Sequence, residues 1–198
     1  MKETILLFHS GCPDGQGSKY AFWKKYGDSI EYYPVAHYEA NNLPDLTGKN
    51  VFLADIAFER RIIEVIEKQA NSIIILDHHI SRYEELKDKE YYHFTNEHSG
   101  AVISWKYLFP DKEVPEILNL VETRDIWKWD YPNANELLSV LDSLPFDCEV
   151  WNSFDQSLTF EKEKLIEEYV STLLKIEDKY SKEFNEIYNK LNKVIYEI

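Results

Sequence analysis

Carboxylate and imidazole side chains follow three separate short apolar runs of this chain. A single Asp or His in such a place is usually a turn residue, a helix cap or a packed surface residue. Three such places together indicate a ligand site, because the carboxyl ends of parallel strands share one edge of a sheet, where open α/β folds bind ligands. The residues that this edge would bring together are His9, Asp14, Asp55, Asp77, His78 and His79.

Carboxylates and imidazoles gathered in one place are typical ligands of a divalent metal pair. They favour Mn²⁺ or a similar borderline cation over Ca²⁺, which prefers oxygen ligands alone. Two ions about 3.5–4 Å apart can share a carboxylate, activate water and stabilise the oxygens of a phosphoester. Asp55 stands alone at its strand end and is the expected bridging ligand. His79 is expected to contact phosphate rather than metal, because neighbours in a chain rarely point alike.

The elements that would position these residues alternate between strand and helix in the first half of the chain. Strands are predicted over Ile5–Phe8, Glu31–Ala36, Asn50–Ala54 and Ser72–Leu76, with helices from Ser18 and over Glu59–Ala70. This order predicts an α/β fold of three layers, in which a mostly parallel sheet is flanked by helices.

The second half of the chain is predicted to be mostly helical. Helices are expected over Gly100–Leu108, Val114–Thr123 and Ala134–Leu141. Residues 161–198 carry an apolar residue at every third or fourth position, which predicts a long C-terminal helix, or two helices broken near Ser181. That stripe must pack on the domain, on a missing domain or on a second copy, so a homodimer is one expectation. We divide the chain into a domain of residues 1–155 and a helical segment of residues 156–198.

The composition narrows the classes of function. Asp and Glu number 36 against 22 Lys and Arg, which gives a net charge of -14, whereas tight binding to long nucleic acid needs a dense basic surface. No apolar run approaches the roughly 20 residues of a transmembrane helix, and no signal peptide fits the first residues. We therefore expect no membrane partner and a cytoplasmic protein. Cys12 and Cys148 are too few for a disulfide framework and are expected to be reduced thiols.

Four tryptophans offer a possible surface for stacking nucleobases. They lie among helical apolar residues, so packing in the core is the favoured interpretation. They are Trp105, Trp127, Trp129 and Trp151.

The triplet Asp77–His79, after a β-branched strand, resembles the signature of the DHH phosphoesterase superfamily. Other segments follow in the order of that family's motifs. Phe8–Ser18 resembles the first motif, Leu53–Asp55 the second, Glu97–Ala101 the start of the helix after the signature, and Glu122–Trp127 the Arg-Asp-x-Trp form of the fourth. The resemblance covers roughly residues 4–155. It implies a three-layer α/β domain with a Mn²⁺-dependent site of one or two ions.

The resemblance also implies roles for individual residues. The implied metal ligands are His9, Asp14, Asp55, His78 and Asp125. Asp77 would be a further ligand or would orient a histidine. His79 would bind the substrate phosphate or protonate the leaving oxygen. Arg124 would neutralise phosphate charge or form a salt bridge. Weaker candidates for substrate contact are His98, Ser99 and Gly100, and Ser99 is equally a candidate cap of the helix that begins at Gly100.

The chain departs from the family in two respects. Many relatives carry a second Asp two places after the first-motif Asp, and here that place holds Gln16. An amide lacks the charge to hold a divalent ion well, so the second metal site is expected to be weaker or to fill only with substrate present. Many relatives add a smaller companion domain, and nothing after Glu161 resembles it. The chain is then a one-domain form or a fragment.

The function expected from these observations is a metal-dependent hydrolase of a small phosphate ester. A short oligonucleotide, a cyclic dinucleotide or a similar nucleotide is the expected substrate. Pyrophosphate and polyphosphate are alternatives within the same chemistry. The alternative of another class is a non-catalytic binding or scaffold protein on a degraded phosphoesterase fold.

Overall fold

The computed structural model describes residues 3–40, 42–160 and 181–182. The elements are β1 (Thr4–His9), α1 (Pro13–Tyr26), β2 (Glu31–Val35), β3 (Asn50–Ala54), α2 (Arg60–Gln69), β4 (Ser72–Asp77), α3 (Ile80–Leu86), β5 (Tyr92–Phe94), α4 (Gly100–Leu108), α5 (Glu116–Asp125), α6 (Ala134–Ser143) and α7 (Cys148–Phe160). The predicted C-terminal helix, and a dimer formed through it, lie almost wholly outside the described residues. The predicted boundary between residues 155 and 156 falls within α7. In the described ranges, no helix is long and apolar enough to cross a membrane.

The five strands form one parallel sheet in the order β2-β1-β3-β4-β5. Ile5 of β1 pairs with Glu31 of β2 on one side and with Val51 of β3 on the other. The chain therefore crosses over β1 between β2 and β3, so the strand order reverses at the pair β1–β3. In open α/β sheets, ligands bind beyond the carboxyl ends of the strands at such a reversal. The predicted parallel sheet is confirmed.

Helices cover both faces of the sheet, and alternate side chains of β1 point to the two faces. Leu6 and Phe8 point to the face covered by α1 and α4, on which α5, α6 and α7 are layered. Ile5 and Leu7 point to the opposite face, where they join a core that includes Ile63 of α2. Because both faces are buried, the strands carry nearly continuous apolar sequence. The predicted three-layer α/β fold is confirmed.

Helix α1 begins at Pro13, five residues before the predicted start at Ser18. Cys12 is the N-cap, and its Sγ accepts a hydrogen bond from the Gly15 backbone N–H at 3.2 Å. Proline suits the first helical position, because its missing N–H would have no partner there. A Cβ on Gly15 would lie 1.9 Å from the carbonyl oxygen of His9. The glycine thus allows close contact between α1 and β1, and does not mark a loop.

The tryptophans divide into two pairs. Trp105 and Trp151 are buried, which confirms the core interpretation for them. Trp127 and Trp129 are 75% and 40% exposed, so that interpretation is wrong for this pair. Both follow the end of α5, where their φ angles of 63° and 52° turn the chain away from the helix. Their rings meet edge to face with centroids 5.4 Å apart.

Candidate metal centre

The carboxyl edge of the sheet gathers ligand-type side chains from several elements. His9 is the last residue of β1, Asp55 follows β3, and His78 follows β4. Asp14 comes from the first turn of α1 and Asp125 from the last turn of α5. The five predicted ligands are therefore brought together. Among the described residues, three groups of close ligand atoms result. We call two of them the first donor group (His9, Cys12 and Asp55) and the second donor group (Asp14, His78 and Asp125), and the third, Asp55 with His78 and His79, lies between them.

Asp55 connects the two groups. Its residue is 1% exposed and has a φ of 57°, and its N–H donates to the Leu76 carbonyl at 2.9 Å. Its Oδ2 lies 3.4 Å from Nδ1 of His9, and its Oδ1 lies 3.2 Å from Nε2 of His78. This contact is an ion pair, and Oδ1 has no hydrogen-bond partner among the described residues. A buried carboxylate oxygen without a partner is costly, and a bound cation would satisfy it.

The second donor group is rich in carboxylate oxygen. Nε2 of His78 lies 3.6 Å from Oδ2 of Asp14 and 3.4 Å from Oδ2 of Asp125. Asp14 also accepts hydrogen bonds from the backbone N–H groups of Gly100 at 2.7 Å and Ala101 at 3.0 Å. The start of α4 thereby holds the Asp14 carboxylate beside His78. The partial positive charge at the N-terminus of a helix favours an anion in this position.

The charges of the site call for cations. Burial, followed by the charge of Asp55, raises the pKa of Asp14 well above its usual range. Burial, opposed in part by His78, also raises the pKa of Asp125. Burial favours the neutral form of Asp55, but His78 and His9 outweigh it and lower the pKa of Asp55. A divalent cation would relieve the repulsion between Asp14 and Asp55 and would stabilise the ionised form of both carboxyls.

Asp77 is positioned to orient a histidine. It is fully buried, and Nδ1–H of His79 donates to its Oδ1 at 2.7 Å. This hydrogen bond, more than the opposing effect of burial, raises the pKa of His79. Asp77 belongs to neither donor group, so its geometry fits the second of its two predicted roles. Such a carboxylate fixes which imidazole nitrogen is free to act.

His78 and His79 converge instead of pointing apart. Their ring centroids are 4.4 Å apart, and both offer a nitrogen close to Asp55. The reason given for excluding His79 from metal ligation therefore does not hold in this fold. His79 has the placement of either a ligand or a phosphate contact.

Cys12 is a site residue that the sequence analysis missed. Its Sγ lies 3.3 Å from Nδ1 of His9 and 3.4 Å from Oδ2 of Asp55. Burial, followed by the charge of Asp55, raises the pKa of this thiol. The early start of α1 produces this placement, because Cys12 becomes the residue that leads from β1 into the helix.

His37 is a second residue that was missed. Its ring centroid lies 5.1 Å from that of His9 and 5.8 Å from that of His79. Burial, followed by repulsion from these two imidazoles, lowers the pKa of His37. His37 comes shortly after the carboxyl end of β2, so the rule that found the other histidines would have found it too.

Arg124 and two of the weaker substrate candidates have structural roles. Arg124 donates two hydrogen bonds to the carboxylate of Asp142, at 2.8 and 2.9 Å, which is the salt-bridge alternative. Oγ of Ser99 accepts from the Val102 N–H at 3.5 Å, so Ser99 caps α4. A Cβ on Gly100 would lie 2.5 Å from Cβ of Asp55, so this glycine allows α4 to approach β3.

Glu122 links the segment before α4 to α5, and it was not among the predicted residues. Its carboxylate accepts from the Ser99 N–H at 3.0 Å and lies 3.1 Å from Nδ1 of His98. Nε2 of His98 lies 2.6 Å from Nζ of Lys106. His98 is thus engaged through both ring nitrogens and helps to hold the segment that leads into α4.

Gln16 faces the core. Its residue is 2% exposed, and its Nε2 donates to Sγ of Cys148 at 3.8 Å. The place where the phosphoesterase family that the sequence resembles often has a second Asp therefore supplies a contact to α7 in this chain. Asp14, Asp55, His78 and Asp125 remain as side chains that could hold a second ion.

Comparisons with known proteins give relatives of the chain and of its fold. No protein-family model matches the chain. Uncharacterized protein R106 of Acanthamoeba polyphaga mimivirus is 30% identical over 213 aligned positions, which cover 97% of this chain and 51% of the relative. The crystal structure of an uncharacterized protein from Helicobacter pylori G27 matches with a TM-score of 0.54 at 18% identity, covering 85% of this chain and 54% of that protein. The chain thus spans about half the length of both, and the structural likeness extends to the fold alone.

Proposed function

We propose that this protein is a metal-dependent phosphoesterase that hydrolyses a small phosphodiester or nucleotide. The observation that carries the proposal is the shared carboxylate of Asp55, whose two oxygens face different donor groups. A carboxylate between two sets of ligands is typical of sites in which a pair of ions acts on one phosphoester. Bound divalent ions would supply an activated water and positive charge for the phosphoryl oxygens.

The residues of the chain have separable roles in this proposal. Asp55 joins the two halves of the site, and Asp14 fixes α4 against it. His79 binds the phosphate or gives a proton to the leaving oxygen, and the raised pKa of its imidazole favours the protonated form that either task needs. Asp77 keeps Nε2 of His79 available by accepting from Nδ1.

The exposed indoles favour a substrate that carries a base. Trp127 and Trp129 lie two and four residues beyond Asp125, so their Cα atoms are within about 14 Å of its Cα. Nucleobases stack on exposed aromatic rings with little regard to sequence. This observation favours a short oligonucleotide, a cyclic dinucleotide or a similar nucleotide over pyrophosphate and polyphosphate.

A hydrolysis assay tests the proposal. The full chain is incubated with Mn²⁺, Co²⁺ or Zn²⁺ and with a bis-aryl phosphate, a dinucleotide, a cyclic dinucleotide or pyrophosphate. We expect turnover of a nucleotide substrate that is lost with chelator and in Asp55→Asn, and retained in Asp28→Asn. Asp28 is a suitable control because it is an exposed acid away from the donor groups.

Two other outcomes are informative. Preferred release of inorganic phosphate from pyrophosphate would favour the alternative substrate with the same chemistry. Stable metal binding without turnover of any of these substrates would contradict the proposed activity and favour the binding or scaffold alternative.

A further inference from the structure

The three side chains of the first donor group form a nearly equilateral triangle of ligand atoms. Sγ of Cys12 lies 3.3 Å from Nδ1 of His9 and 3.4 Å from Oδ2 of Asp55. Nδ1 of His9 and Oδ2 of Asp55 are 3.4 Å apart. The triangle thus contains a nitrogen from the end of β1, a sulfur from the start of α1 and an oxygen from the residue after β3.

These separations agree with the spacing of ligands around a small tetrahedral ion. Zinc–ligand bonds of about 2.0–2.3 Å at tetrahedral angles place neighbouring ligand atoms roughly 3.3–3.6 Å apart. A second observation points to a cation beside this carboxylate, because the residue is 1% exposed and its Oδ1, on the side of the second donor group, has no hydrogen-bond partner in the described part of the chain. Oδ2, the oxygen in the triangle, accepts the weak hydrogen bond of the Cys12 thiol at 3.4 Å, and the proton of that bond is the one that a bound ion would replace.

We infer that Cys12 is a thiolate metal ligand, and that the first donor group selects Zn²⁺ or a similarly thiophilic divalent ion over Mn²⁺. Thiolate and imidazole favour zinc and related ions, whereas carboxylates suit Mn²⁺ and Mg²⁺. Binding would replace the thiol proton by the metal ion and release that proton to water. The inference shares with the proposed function the premise of a cation site, but it does not depend on hydrolysis.

Capping of α1 alone does not explain a cysteine at this position. The sulfur accepts from the Gly15 N–H at 3.2 Å, and a serine would accept the same hydrogen bond as a better N-cap residue. The sulfur therefore adds something other than the cap. For the same reason, Cys12→Ser removes the proposed ligand while preserving the start of the helix.

Cobalt absorption tests the inference directly. The full chain, freed of metal by chelation, is titrated with Co²⁺, because a thiolate bound to cobalt gives a near-ultraviolet charge-transfer band that oxygen and nitrogen ligands do not give. We expect the band in the unaltered protein and in Cys148→Ser, and its loss in Cys12→Ser. Cys148 is a matched control, because it is the second cysteine, is buried on α7 and contacts Gln16 outside both donor groups.

Metal competition supplies a second measurement. We expect Cys12→Ser to weaken Zn²⁺ binding by about 10- to 100-fold and to change Mn²⁺ binding by less than about threefold. Absence of the band from the unaltered protein, its persistence in Cys12→Ser, or an equal loss of both metals would overturn the inference. A band without hydrolysis would reject the proposed function alone, and hydrolysis without a band would reject the thiolate ligand alone.

Discussion

The two donor groups lie on either side of one carboxylate, yet they differ in chemistry. The first group joins a sulfur and an imidazole to Oδ2 of Asp55. The second joins an imidazole to the carboxylates of Asp14 and Asp125, with Oδ1 of Asp55 3.2 Å from His78. Softer donor atoms lie on one side and harder donor atoms on the other, so we expect the two sides to favour different ions.

The two donor groups also differ in charge. The second group gathers carboxylates whose pKa values are raised by burial, whereas the lowered pKa of Asp55 keeps it ionised between the groups. Like charges in a buried place destabilise the fold until a cation joins them. We therefore expect the first side to set metal selectivity and the second side to gain most in stability from a bound ion.

Asp55→Asn should have the largest effect, because it alters both sides at once. An amide keeps the shape of the side chain but removes the charge that the two groups share. We expect loss of at least about 100-fold in hydrolysis and weaker metal binding on both sides, measured by metal content and turnover. A variant that keeps one tightly bound ion would show that the two donor groups are independent, and would contradict the bridging role of Asp55.

Asp125→Asn should affect the second side only. Asp125 is at the end of α5, with its Oδ2 3.4 Å from Nε2 of His78, and it takes no part in the first group. We expect about 10- to 100-fold weaker Mn²⁺ binding, with the cobalt–thiolate band unchanged. Loss of the band in this variant would mean that the two sides bind one ion together.

The sequence predicted the main sheet well because its strands are buried on both faces. Continuous apolar runs such as Ser72–Leu76 leave few alternatives to a strand. The start of α1 was missed because Gly15 resembles a loop residue, and its need for close contact with β1 is visible only in three dimensions. Strand β5 spans three residues, Tyr92–Phe94, which is too short for a periodic signal.

The candidate site was predictable where residues follow strand ends, and less so elsewhere. His9 and Asp55 needed only the knowledge that parallel strands share an edge. The role of Cys12 depends on where α1 begins, which the sequence analysis placed too late. The partner of Arg124 is Asp142, 18 residues away on α6, and no local pattern identifies such a pair.

Asp77→Asn tests whether His79 acts on the substrate or through the metal. The hydrogen bond from Nδ1–H of His79 raises its pKa, so the protonated form persists above the ordinary imidazole value of about 6.5. We expect a loss of about 10-fold in turnover, and a basic limb of the pH–rate profile that moves to lower pH. The hydrogen bond between Asp77 and protonated His79 stabilises the folded protein fully at a pH below the imidazole pKa of the unfolded chain. This stabilisation disappears as the pH rises through the higher imidazole pKa of the folded protein.

The control for that variant is metal binding. Both donor groups should bind ions as before, because Asp77 belongs to neither. An unchanged pH profile together with weaker metal binding would assign Asp77 to the ligands, and His79 would then act through the metal and not on the substrate.

Trp127→Ala should have the smallest and most selective effect. The indole is 75% exposed and follows Asp125, a member of the second donor group, by two residues. Loss of one stacked base costs about 1–3 kcal/mol, so KM for a dinucleotide should rise by roughly 5- to 150-fold. KM for an abasic dinucleotide should not change. Tyr107→Ala is the control, because Tyr107 is an aromatic residue on α4 that is 40% exposed, and this variant should leave KM for both substrates unchanged. An equal rise for both substrates would mean that Trp127 supports the loop after α5, and that the second side carries no surface for a base.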